Sequence, residues 1–203
     1  MILEIPPGDF DGYLFDLDGT LIDSMPAHYR AWDAAMRHFG LQTTLDENLF
    51  YSLGGVPTPR VAELIGRHYG LTLNPLEVME VKESLFFKNG IPSVTIIQPV
   101  ADFARRVAAT KPVSIVTGGT PEIVGPSLTA VGMSDVFKIV VTASDVPPGR
   151  GKPEPDMFLM AARLMGVDPR NCLVFEDAEP GIRAALAAGM QVVRVPSRRA
   201  AAA

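Results

Sequence analysis

Five short apolar runs punctuate the chain: Tyr13–Phe15, Val113–Val116, Lys138–Val141, Leu173–Phe175 and Val192–Val195. Runs this short, bounded by turn residues, read as buried strands. Helical stretches with readable ends precede or follow the later ones. Gln98-Pro99 opens one that runs to about Ala109, and Thr120-Pro121 offers an N-cap and a first-turn proline to the next, which stops near Gly132. Pro155 opens a third that ends at Gly166, and Pro180-Gly181 a fourth that ends at Gly189. Strands alternating with helices of this length imply a parallel sheet covered on both faces, a three-layer, Rossmann-like α/β core.

The interval from Ser24 to Ser93 breaks this alternation. It reads as helices only: Pro26–Phe39 stopped by Gly40, Pro59–Tyr69 stopped by Gly70, and Pro75–Lys88 stopped by Asn89-Gly90. Their apolar residues recur at helical spacing, as in Val61, Leu64, Ile65 and Tyr69. A helical block between the first and second strands reads as an inserted lobe. The expected division is therefore a core of residues 1–23 and 94–203 and a small helical unit of residues 24–93. The two connections, near Leu21–Ser24 and Gly90–Ile97, are expected to lie close together as a hinge.

Composition narrows the function classes. With 203 residues, 47% of them hydrophobic and 20% charged, one ample core and a small second lobe are within reach. The net charge of −5 is spread without acidic or basic blocks, which argues against nucleic-acid or membrane-surface partners. The single cysteine, Cys172, cannot form an internal disulfide, and its place at the start of CLVF suggests a buried structural thiol. MILEIPPGDF lacks the pattern of a signal peptide, and no stretch reaches the length of a membrane span, so a cytoplasmic protein is expected. The low-complexity ending SRRAAAA is expected to fray.

Polar residues follow strand after strand at the carboxyl end. The first strand leads into Asp16 and Asp18, the second into Thr117-Gly118-Gly119, and the fourth into Glu176-Asp177, while Lys152 lies in the loop GRGKPEPD. Ligands of open parallel sheets bind at that edge. Each piece has a plainer reading: Asp18-Gly19 as a turn, Thr117-Gly118-Gly119 as a strand-to-helix link, Glu176-Asp177 as a helix cap, Lys152 as a solvated side chain. Their coincidence at strand exits favours a site. The chemistry such a set suits is phosphoryl transfer. One carboxylate attacks phosphorus, and a second, one residue on, protonates the leaving oxygen and later deprotonates water. Grouped carboxylate oxygens suit Mg2+, a lysine balances their charge, and a threonine hydroxyl with glycine N–H groups holds phosphate oxygens.

FDLDGT, the Thr117 strand end, Lys152 in GKPEPD, and FEDAEPGI together resemble the four signature motifs of the haloacid dehalogenase superfamily, in the right order across nearly the whole chain. The helical insert resembles that superfamily's small helical cap. The chain is most similar to the β-phosphoglucomutase-like group, which includes sugar-phosphate phosphatases such as fructose-1-phosphate phosphatase. The resemblance implies Asp16 as nucleophile and Asp18 as general acid/base. It implies Mg2+ held by Asp16, the Asp18 backbone carbonyl and Asp177 with support from Glu176. Thr117 and Gly118 would hold the phosphoryl group and Lys152 would neutralise Asp16. The second aspartate points to phosphate chemistry and away from dehalogenation. The implied partner is a small phosphorylated metabolite.

In the helical insert, the resemblance marks His28 and Lys82 as substrate contacts. Trp32, Phe39 and the methionines read as core, and His38 and His68, near helix ends, as partners of the helix dipole. A phosphomutase must grip the phosphate remote from Asp16, and in β-phosphoglucomutases an arginine follows a glycine-containing turn for this purpose. Here the turn reads GGVPTPR; Thr58 falls at the arginine's place, and Arg60 follows inside the next helix. The expected activity is therefore Mg2+-dependent hydrolysis of sugar or polyol phosphates through an aspartyl-phosphate, with a phosphomutase as the alternative. A phospho-accepting receiver domain or a catalytically silent binding protein is a more distant one, since a receiver would carry no helical insert after its first strand.

Overall fold

The computed structural model describes residues 2–54 and 56–196; the SRRAAAA ending lies outside the described residues. The chain divides into two compact units, one formed by the residues up to Asp23 with those from Thr95 onward, the other by Ser24–Val94.

The first unit is built on five parallel strands. In chain order they are β1 (Gly12–Phe15), β4 (Val113–Thr117), β5 (Ile139–Thr142), β6 (Cys172–Glu176) and β7 (Gln191–Arg194). Across the sheet they run β5-β4-β1-β6-β7, with Leu14 beside Ser114 and Val174, and Phe15 beside Ile115 and Phe175. β1, first in sequence, is therefore the central strand. β4 and β6 are buried along their whole length, as continuous apolar runs in parallel sheets require. Two further strands, β2 (Ile22–Asp23) and β3 (Thr95–Ile96), pair antiparallel, and Ile97 N–H donates to the Leu21 carbonyl at 2.9 Å. At two residues each they carry no periodicity, so the sequence gives no sign of them.

Helices cover both faces. α7 (Asp156–Met165) and α8 (Glu179–Ala187) pack Met157, Phe158, Ala161, Ala184 and Ala185 against Leu14, Val116, Val141 and Val174. Cys172 is a free thiol buried in the same cluster. On the other face α5 (Gln98–Ala108) brings Phe103 to within 4.8 Å of the Phe175 ring and 5.6 Å of Tyr13, centroid to centroid. Phe15 stacks on Phe175 in the same layer at 4.8 Å. α6 (Pro121–Ala130) begins where the sequence predicts, but Thr120 makes no side-chain cap and its hydroxyl oxygen is buried without a partner.

The second unit is helical: α1 (Met25–His38), α2 (Glu47–Ser52), α3 (Thr58–Tyr69) and α4 (Pro75–Leu85) enclose Trp32, Met36, Leu45, Phe50, Val61, Ile65 and Val78. Phe39 packs on this core from its edge. α2 is absent from the sequence reading because six residues are too short to show a period; its signal is Asp46, whose carboxylate accepts the Leu49 N–H at 2.8 Å. α4 stops three residues before the expected Lys88. A wider π turn, Phe86–Gly90, follows it, and there Gly90 closes on the Phe86 ring so tightly that a Cβ would lie 2.5 Å from Cδ2. Among the described residues no helix is long and apolar enough to cross a membrane.

Candidate active site

The acidic centre begins where β1 runs out. Asp16 N–H still donates to the Phe175 carbonyl at 3.0 Å, after which the chain turns back on itself. The Leu17 carbonyl accepts from the N–H groups of Leu21 and Ile22, each at 3.0 Å, and Gly19 N–H donates to the Ile22 carbonyl at 2.8 Å. Gly19 has φ +90, a region that side chains rarely tolerate, and a Cβ there would stand 2.5 Å from Asp177 Oδ2. The glycine of DLDGT thus serves both the turn and the carboxylate beside it.

Lys152 joins the motifs. Its ammonium donates to Asp16 Oδ1 and to Glu176 Oε2, both at 2.7 Å, in a setting where all three side chains are buried. Glu176 Oε1 accepts the Ala178 N–H at 3.1 Å, and the Thr20 hydroxyl donates to Asp177 Oδ1 at 3.0 Å. Asp18 lies across from the loop after β4: a Cβ on Gly119 would be 3.9 Å from Asp18 Oδ2 and 3.5 Å from Thr117 Oγ1. Gly119 N–H donates to that threonine hydroxyl at 3.1 Å, and Gly118 beside it is exposed. Asp16, Asp18, Thr117, Gly118, Lys152, Glu176 and Asp177, far apart in sequence, are thus gathered at one edge of the sheet.

The electrostatics follow from crowding three carboxylates, Asp16 and Glu176 buried and Asp177 half-buried, near one ammonium. Burial raises the Asp16 carboxyl, with Lys152 opposing. Burial and then the Asp16 charge push Glu176 up to about 8 and Asp177 to about 7. Burial works against the Lys152 ammonium, but the charges of Asp16 and Glu176 outweigh it and hold it above its ordinary value. Asp16, Glu176 and Asp177 each offer a carboxylate oxygen, all within 4.8 Å of one another. Hard oxygen donors with unbalanced negative charge fit a small divalent cation.

Residues 10–189 match the haloacid dehalogenase-like hydrolases as a family. The chain belongs to that family. Among the similar members of the haloacid dehalogenase-like hydrolases is the fructose-1-phosphate phosphatase YqaB of Escherichia coli (strain K12), 37% identical over 92% of this chain and 96% of that one. Hexitol phosphatase A of the same organism is 34% identical over 91% of this chain and 82% of its own length. A solved structure of β-phosphoglucomutase from Clostridium difficile superposes with a TM-score of 0.77 and 26% identity, covering 90% of this chain and 83% of the other.

The remaining predicted residues lie in the helical unit. His28, on α1, stacks on the Phe86 ring with centroids 3.8 Å apart and planes 3° from parallel. The Lys82 ammonium, on α4, lies 5.4 Å from the centre of the same ring. Phe86 therefore brings the two together, a role the sequence reading missed because an aromatic at helical spacing looks like any core residue. Thr58 is the first residue of α3, and Arg60, the third, pairs with Glu63 on the helix surface. Thr20 was also missed. Its signal was its place in the DLDGT motif.

Proposed function

We propose that the chain is a Mg2+-dependent phosphatase of small sugar or polyol phosphates that works through an aspartyl-phosphate on Asp16. The observation that carries this reading is the Lys152 ammonium held between Asp16 and Glu176 at 2.7 Å each, beside Asp177, at the carboxyl edge of a parallel sheet. Phosphatases are prominent among the similar proteins, with sugar and hexitol phosphates in their names.

In this reading an Asp16 oxygen forms a bond to phosphorus as the ester P–O bond breaks, and Asp18 gives its proton to the departing alkoxide. Asp18 then takes a proton from water, whose oxygen bonds to phosphorus while the Asp16–phosphorus bond breaks. Lys152 balances the charge on Asp16, and Thr117 and Gly118 hold phosphoryl oxygens. Asp16, Asp177 and the Asp18 carbonyl, with Glu176 in support, would hold Mg2+, which when bound offsets phosphate charge and fixes its orientation. His28, Thr58 and Lys82 act as substrate contacts. A charged phosphomonoester does not cross an apolar barrier unaided, which suits a cytoplasmic setting and a metabolite partner.

The test is hydrolysis of a panel of phosphorylated sugars and polyols with Mg2+, fructose 1-phosphate and hexitol phosphates included. Release of inorganic phosphate is expected, and chelator is expected to stop it. Silence on the whole panel and on p-nitrophenyl phosphate removes the phosphatase. With β-glucose 1-phosphate and a trace of the bisphosphate, glucose 6-phosphate is not expected to accumulate, because Thr58 stands at the arginine's place and Arg60 lies inside α3. Rapid accumulation makes the protein a mutase.

A further inference from the structure

Gly181 is the third residue of α8, buried against the end of β6. A Cβ on it would overlap Glu176 Oε2 and Cδ outright and lie 2.7 Å from Cγ. No other glycine among the described residues is approached so closely by a charged group. Nor can the Glu176 carboxylate simply swing aside. One of its oxygens takes the Ala178 N–H and the other takes the Lys152 ammonium, and the side chain is 1% exposed. Moving it breaks one bond or both, and loss of the bond to Lys152 leaves Asp16 as the carboxylate that holds the ammonium.

We propose that Gly181 is a positioning residue of the acidic centre: its missing side chain is the seat of the Glu176 carboxylate, and so fixes how Lys152 is shared between Glu176 and Asp16. Glycine has a lower helix propensity than alanine, so the helix itself gives no reason for glycine at this position. The buried positions one turn later, Ala184 and Ala185, do carry a Cβ. At Gly181 the space for a methyl group is taken by the Glu176 carboxylate. The inference rests on the proposed role of this centre, but its structural part stands on the overlap alone.

A double-mutant cycle on the full chain tests it. Gly181→Ala, Glu176→Ala and the double variant are compared with the parent by calorimetric Mg2+ titration and by melting temperature without metal. Gly181→Ala is expected to weaken Mg2+ binding about 10- to 100-fold, the usual cost of disturbing groups that orient ligands. In the Glu176→Ala background, where the three nearest atoms to that Cβ are gone, the same change is expected to alter Mg2+ affinity less than about twofold, the scale of the additivity error. Gly125→Ala in α6, where a Cβ meets nothing within 4 Å, is the control: it should match the parent in Mg2+ affinity and melt no lower. If Gly181→Ala fails to fold, the double variant must fold and melt no lower than Glu176→Ala does. An effect of Gly181→Ala that persists undiminished without the Glu176 side chain, or no effect in the parent, overturns the proposal. Absence of turnover in the parent with the cycle intact removes the phosphatase and leaves the seat.

Discussion

Asp16 and Asp18 stand one residue apart yet meet different neighbours: Asp16 is bonded to Lys152, and Asp18 faces the Gly119 loop. On the proposed mechanism their losses must look different. Asp16→Asn keeps the fold and ends turnover, since an amide is a poor nucleophile. Asp18→Asn slows turnover by about two to four orders of magnitude, the usual share of general acid–base catalysis. Steady-state rates on a good substrate, with circular dichroism as the check on folding, decide this. A well-folded Asp16→Asn with ordinary activity contradicts the assignment.

β6 shows how an element is made ready at both ends. A short 3-10 turn, Pro169–Asn171, leads into it, and Asp168 before the turn accepts the Arg170 N–H at 2.9 Å and pairs with its guanidinium at 2.7 Å. The side-chain bond first, and then the backbone one, bring the Asp168 carboxyl down from 3.8 to about 2. A depressed carboxyl contributes stability above its ordinary range that is lost as pH falls through the folded value. The contribution of this turn should therefore persist at pH 4 and disappear as pH falls through about 2. NMR titration of the Asp168 carboxyl carbon should show a midpoint near 2, rising in Arg170→Ala; a midpoint near 3.8 in the parent contradicts it. The strand itself was legible as CLVF because its burial is continuous. The turn before it, like α2 and the β2/β3 ribbon, was not, because each is held by one or two polar bonds that leave no period.

At the scale of the whole molecule, residues near positions 16, 152 and 176 meet in one small volume, with three carboxylates around one ammonium. A cation bound there stabilises the fold by mass action, by about 2.7 kcal/mol at a hundredfold excess over its dissociation constant. Mg2+ is therefore expected to raise the melting temperature of the parent and to do little for Asp177→Ala. Equal shifts in both place the ion elsewhere. Residue types and order were enough to read this centre from sequence, since charged groups at strand ends stand out against apolar runs. Gly181 and Phe86 were not legible, because their work is done by an absent side chain and by a shared ring face. The central place of β1 also bears on synthesis. Its partner β6 emerges from the ribosome about 160 residues later. A chain cut short before Cys172 carries Asp16 without Glu176 or Asp177 and leaves one side of β1 unpaired. Prematurely terminated products thus offer a bare strand edge to aggregation and to proteases, and on the proposed mechanism they are expected to be inert toward phosphate esters.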